Sequence, residues 1–225
     1  LESEEHVNKL VNKYGFIKIH PFNDYDIIYG QGTLMLEMLE KYPDLSKVYI
    51  PVGGGGLIAG CSIIAKHLNK NINIIGVETE NFPSLYNLFY KKNKPFSRST
   101  IAEGVAVNKI GKKNLAIIKK YVDKTVLVKE STIEKAISHF LISDKTLVEG
   151  AGALGLAALL ESNNKRNNEK IGILACGGNL DSRVLSSLLM RDLVRKKQIL
   201  TLSIDMEDKP GQLSEISILC AKEKI

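Results

Sequence analysis

Four consecutive glycines, Gly53-Gly54-Gly55-Gly56, follow the apolar run Val48–Val52 and precede a stretch of helical periodicity at 57–69. Glycine loses more backbone freedom on folding than any other residue, so four in a row are unfavourable unless the structure uses them. They let the backbone approach a ligand closely and take positive φ without steric penalty. Their N–H groups, added to the free N–H groups of a helix start, make an anion site. Gly53, Gly54, Gly55, Gly56 and Leu57 therefore read as a phosphate cradle, the plainer reading being a tight strand-to-helix turn with no ligand. No Gly-Lys-Ser/Thr follows, so this is not a Walker loop. Gly54-x-Gly56-x-x-Ala59 does satisfy the loose dinucleotide fingerprint, and Glu78 ends the next strand near the spacing of a ribose-binding acid. On these residues alone the ligand is a nicotinamide dinucleotide or another phosphate compound.

The rest of the chain repeats the strand-then-helix pattern. Strands are expected at 16–19, 48–52, 72–77, 125–128 and 170–175. Helical periodicity appears at 2–13, 31–41, 57–69, 84–92, 112–122, 131–144, 151–162 and 181–191. Such alternation predicts an α/β fold with an open, mainly parallel sheet and helices on both faces. Near 195 the pattern changes to a basic linker, Arg195-Lys196-Lys197, then an alternating strand candidate at 199–204, a turn at Asp208-Lys209-Pro210-Gly211 and a helix start at Leu213. One strand and one helix cannot bury a core, so 199–225 reads as the opening of a second domain. Asn163 to Asn168 reads as a solvated loop.

Composition narrows the function classes. No apolar run is long enough to span a bilayer, and the polar, acidic opening predicts no secretory signal. Cys61, Cys176 and Cys220 lie far apart with no CxxC pair, which suits a reducing cytoplasm and neither a disulfide framework nor a zinc knuckle. The net charge of +6 comes from scattered lysines without a basic face interleaved with aromatics, so a nucleic-acid partner is not expected.

Two further glycine sites follow. Strand 170–175 ends in Cys176-Gly177-Gly178-Asn179, and open α/β sheets bind ligands at such strand ends. Cys176 is either a small buried hydrophobe or a weak hydrogen-bonding group set against a flat ligand. Glu149 precedes the small-residue helix start Gly150-Ala151-Gly152-Ala153, as an ordinary first-turn acid or as part of the site.

Taken in order, these elements resemble the threonine dehydratase and serine racemase family of fold-type-II pyridoxal-phosphate (PLP) enzymes. The stretches that carry the resemblance are His20-Pro21-Phe22-Asn23-Asp24, Ile28 to Thr33, Pro51 to Gly60, Gly76-Val77-Glu78, Thr100 to Val107, Glu149 to Ala153 and Cys176 to Asp181. Leu200 to Leu213 is similar to the start of an ACT regulatory domain. The resemblance implies a tryptophan-synthase-β-like fold, with 1–22 closing the small domain, 23–195 forming the large PLP-binding domain, and 196–225 a linker and the start of a ferredoxin-like ACT domain.

The resemblance also implies roles. Gly53 to Leu57 would hold the PLP phosphate, Cys176 would face the pyridine nitrogen where most members carry Ser, and Glu149 and Gly177 would lie beside the cofactor. A monovalent or divalent cation would sit at Glu78, Phe82 and Ser84, although Ser84 departs from the family's acid. The implied activity is deamination of L-threonine, and of L-serine, to a 2-oxo acid and ammonia, by a cytoplasmic homo-oligomer. The ACT-like tail favours a dehydratase over a racemase. The family's Schiff-base lysine lies in a Ser-x-Lys-x-Arg motif upstream of the first matching stretch, and no such motif occurs here. No catalytic residue is therefore assigned, and the chain alone is expected to be inactive. A dehydrogenase built on Gly54, Gly56, Ala59 and Glu78, and a non-catalytic remnant or regulatory subunit, are the alternatives.

Overall fold

In the computed structural model, residues 2–162 and 169–223 are described. The expected loop at Asn163–Asn168 lies outside them. By contacts the chain divides into two units, Leu1–Leu189 and Met190–Ile225.

The first unit is built on β1 (Lys47–Pro51), β2 (Asn73–Thr79), β3 (Lys124–Val128) and β4 (Ile171–Ile173), in the order β3-β2-β1-β4. Every pairing is parallel. Both faces of the sheet are covered, which is why its strands read as near-continuous apolar runs. Val48 and Ile50 of β1 and Ile74 of β2 enter one core with Ile28 and Met35 of α2 (Tyr25–Lys41), Ile58 of α3 (Gly56–Leu68) and Ile118 of α5 (Lys112–Tyr121). Tyr49 of β1 and Ile75 and Val77 of β2 enter the other. There they meet Ile133 and Ile137 of α6 (Glu130–His139) and Leu154 of α7 (Gly150–Glu161). Each fully buried Ile or Leu of this kind contributes roughly 2 kcal/mol. Helix α7 is enclosed from Gly150 to Ala158, and its small residues allow that.

The remaining helices of this unit are α1 (Glu2–Tyr14), α4 (Ser84–Tyr90) and most of α8 (Ser182–Arg195). Helix α2 starts earlier than its periodicity indicates, because the Asp24 carboxylate accepts the Asp26 N–H at 3.0 Å and caps it. Helix α6 ends at His139 and passes into a π-helical turn, Phe140–Asp144, where the periodicity predicts one continuous helix.

Two expected strands do not form. Residues 16–19 run without strand pairing and stay exposed, Ile17 at 91%. Residues 199–204 likewise form no strand. The alternation is present in both segments, but a strand exists only through the neighbour that takes up its N–H and C=O groups. The second unit has α9 (Gln212–Lys222) and, among the described residues, no strand, so the sheet of a ferredoxin-like domain is not formed there.

Candidate active site

From β1 the chain winds one way to β2 and β3, then returns to place β4 on the other side of β1. The carboxyl ends of β1 and β4 thus flank the point where strand order reverses, the place where open α/β sheets leave a crevice. A cavity of about 420 Å³ lies there. Gly53, Gly54, Gly55, Gly56 and Leu57 from the β1 end line it together with Glu149, Cys176 and Gly177. Every cofactor-site candidate therefore meets the others in one cavity, although Gly53 and Gly177 lie 124 positions apart.

The β1 loop is held from behind. Gly55 has φ +91° and occupies the N-cap position of α3, a conformation that side-chain-bearing residues rarely take. The Gly54 carbonyl accepts the Gly111 N–H at 3.0 Å and Asn114 Nδ2 at 2.8 Å. In front, the Phe22 ring covers Gly54 so closely that a Cβ there would lie 2.4 Å from it. A Cβ on Gly53 would lie 3.1 Å from the Val105 Cα. Among the described residues no lysine or arginine lines the cavity. What it offers an anion is the N–H groups of the loop and of the first turn of α3.

Across the cavity, Gly177 has φ +87° and its carbonyl accepts the Glu149 N–H at 3.1 Å. A Cβ on Gly177 would fall 2.3 Å from the Glu149 Oε1, so the Glu149 carboxylate rests on this glycine. Cys176 is half-buried. Burial pushes its thiol pKa up, and the nearby Glu149 charge pushes the same way, so the side chain is a neutral thiol at neutral pH. The Cys176 carbonyl sits where a Cβ on Gly152 would be, 2.4 Å away, which brings α7 directly against this loop.

Glu78, Phe82 and Ser84 are not among the cavity's lining residues. Glu78 is buried, and its two carboxylate oxygens accept the N–H groups of Leu85 and Tyr86, each at 2.7 Å, at the start of α4. Burial pushes its pKa up to about 7 against the pull of those N–H donors. The Phe82 carbonyl accepts the Ser84 N–H at 3.0 Å, and the Ser84 hydroxyl donates to the Val107 carbonyl. All three are thus engaged within the chain. Among the described residues no group of three His, Cys, Asp or Glu could hold a metal. The dinucleotide alternative loses its acid here, because a ribose in the cavity would not meet Glu78.

Sequence reasoning missed several residues of the site. Phe22 and Gly104 line the cavity and lie in stretches that resemble the family, yet the sequence alone gives neither a role in it. Glu130, at the start of α6, accepts the hydroxyls of Thr79 and Thr100 and the Ile101 N–H. It thereby fixes the segment that presents Gly104 and Val105 to the cavity. Asn114 shares the buried face of α5 with Ile118, and a polar residue on an apolar stripe was the available signal.

Fold and site together define an α/β protein with a glycine-lined cavity at a topological switch point. The chain belongs to the pyridoxal-phosphate dependent enzyme family, whose model matches residues 1–177. An L-threonine ammonia-lyase from Thermotoga maritima is 38% identical over 217 residues, covering 96% of this chain and 54% of the relative. The structure of maize serine racemase superposes with a TM-score of 0.75 at 32% identity, over 88% of this chain and 62% of that one. The processed form of threonine deaminase isoform 2 from Solanum lycopersicum gives 0.74 at 33% identity, over 83% and 52%. The chain spans about half the length of the curated relatives it matches. PLP is the cofactor this family implies, and the cavity fits it: it has room for a small ring, a cradle that any side chain would fill, and a neutral thiol opposite. Among the described residues no helix is long and apolar enough to cross a membrane.

Proposed function

We propose that this chain supplies the phosphate and ring-nitrogen side of a PLP-dependent ammonia-lyase that converts L-threonine, and L-serine, to a 2-oxo acid and ammonia. The observation that carries the proposal is the convergence of the Gly53–Leu57 loop, Glu149 and the Cys176–Gly177 loop on one cavity. The N–H groups from Gly53 to Leu57 bind the phosphate. The Cys176 thiol faces the ring nitrogen and, being neutral, does not force it to take a proton. Glu149 holds the Cys176–Gly177 turn from beneath. Phe22 shields the cradle from water. When bound, the cofactor supplies the electron sink for loss of the substrate α-proton. Among the described residues no lysine lines the cavity, so the family's covalent anchor has to be presented from elsewhere.

In this reading 1–22 belong to the small domain, 23–195 to the large one, and 196–225 to a linker and ACT-like tail, the last supported by its sequence alone. A cytoplasmic homo-oligomer accords with the free cysteines and the family likeness.

The test has two parts. Pyridoxine 5′-phosphate, which forms no imine with surface lysines, is titrated against the chain alongside NADH. The product of the whole coding sequence is assayed for 2-oxobutanoate from threonine. Binding of the vitamer phosphate and release of the oxo acid are expected. Binding of NADH in place of the vitamer would sink the proposal.

A further inference from the structure

The most informative residue outside the cavity lining is Asn114, in the first turn of α5. It is fully buried. Its Nδ2 donates to the Gly54 carbonyl at 2.8 Å and to the Phe22 carbonyl at 2.9 Å. Two acceptors of this kind identify that atom as the amide nitrogen. Its Oδ1 has no partner. A buried acceptor without a partner is unfavourable, so the side chain is retained for what its amino group does. The same helix start reaches the same two segments by other bonds. The Gly111 N–H also donates to the Gly54 carbonyl, and Asn23 Oδ1 accepts the Lys113 N–H at 3.0 Å.

We infer that Asn114 is a positioning residue that sets the orientation of the Gly54–Gly55 peptide and so makes the loop an anion cradle. The inference rests on the reading of Gly53–Leu57 as the phosphate site. In a trans peptide the C=O and the following N–H point in opposite directions, and this peptide is trans. With the Gly54 oxygen held toward α5, the Gly55 N–H faces the opposite side, where the cavity lies. A peptide between two glycines flips easily, because neither flanking residue has a side chain to oppose the rotation. The flipped form would turn the Gly54 oxygen into the cavity and set a negative dipole against a phosphate. Asn114 ties that oxygen and the Phe22 carbonyl to one amino group, so it also fixes the segment whose ring covers Gly54. It touches neither cavity nor ligand and acts through the loop.

Calorimetric titration with pyridoxine 5′-phosphate and with pyridoxine separates the phosphate contribution from the ring contribution. Asn114→Leu keeps the shape and removes both donors, whereas Asn114→Thr keeps one. The Leu variant is expected to bind the phosphate ester about tenfold more weakly and pyridoxine unchanged, with the Thr variant between. Thermal melting checks the fold, and the Thr variant carries the test if the Leu variant does not fold. In the unmodified chain the Gly55 amide resonance should shift with the phosphate ester, along with Gly56 and Leu57. Variants that bind the ester as tightly as the unmodified chain, equal weakening of both ligands, or a Gly55 resonance that stays still while Gly56 and Leu57 move would overturn the inference. An unmodified chain with no preference for the ester would instead overturn the cradle reading itself.

Discussion

The two glycine loops that face each other across the cavity use glycine differently. The loop after β1 works through its backbone. Its strand is buried from Val48 to Pro51, its carbonyl at Gly54 is held by two donors, and its lining carries no ionisable side chain. The loop after β4 follows a strand of only three residues and works through side chains, with the Cys176 thiol above and the Glu149 carboxylate against Gly177. One side of the site is a fixed set of dipoles, and the other presents a thiol and a carboxylate.

The sharpest way to break this contrast is at Gly152, where helix and second loop touch. A Cβ there meets the Cys176 carbonyl, a backbone atom that cannot swing aside. Gly152→Ala is expected to lower stability by about 3 kcal/mol in denaturant unfolding, and a neutral result would show the second loop to be loose. The end of β2 offers a contrast in pH response, since Glu78 is a strand end with a buried ionisable side chain. Its carboxyl keeps a proton in the folded chain up to about 7, whereas the unfolded chain releases it near 4.5. The stability it contributes is full below 4.5 and lost as pH rises through 7, a change of about 3 kcal/mol. Denaturant midpoints across that window should fall in the native chain and level out in Glu78→Gln.

Gly55→Ala tests the first loop directly. The left-handed backbone there should lower stability by about 1–2 kcal/mol and weaken pyridoxine 5′-phosphate binding, read by calorimetry. The smallest effect concerns Cys176. Its raised pKa keeps the thiolate scarce, so iodoacetamide should label it more slowly than a free thiol at mildly alkaline pH, as followed by peptide mass spectrometry. Fast labelling would place it in a more solvated setting.

Much of the fold could be read from local pattern. The strands at β1, β2 and β3 and the helix starts at Gly56 and Gly150 follow from apolar runs, glycine punctuation and periodicity, all properties of adjacent residues. The segments at 16–19 and 199–204 carry equally clear alternation and form no strand, because pairing depends on a neighbour that alternation does not encode. The same limit applies to the site. The glycines and Cys176 stand out in sequence, but the Asn114 bonds to Phe22 and Gly54 span 92 and 60 positions, and no local pattern announces them. For Glu78, the spacing suggests a ligand, and the structure places its carboxylate at the start of α4, accepting the N–H groups of Leu85 and Tyr86.

The place of β4 beside β1 has a consequence for the order of assembly. The β1 loop and α3 lie within a continuous stretch from Lys47 to Leu68, and the donors that hold the loop, the Gly111 N–H and Asn114, also precede β4 in the chain. Strand β4 docks on β1 from far along the chain, with the Ser46 hydroxyl and N–H both bonded to the Lys170 carbonyl 124 positions away. Closing so long a loop is entropically slow and comes after local elements have formed. During synthesis the Gly53–Leu57 side of the cavity can form before the Cys176–Gly177 side, and the short strand β4, which carries the second loop, completes the cavity.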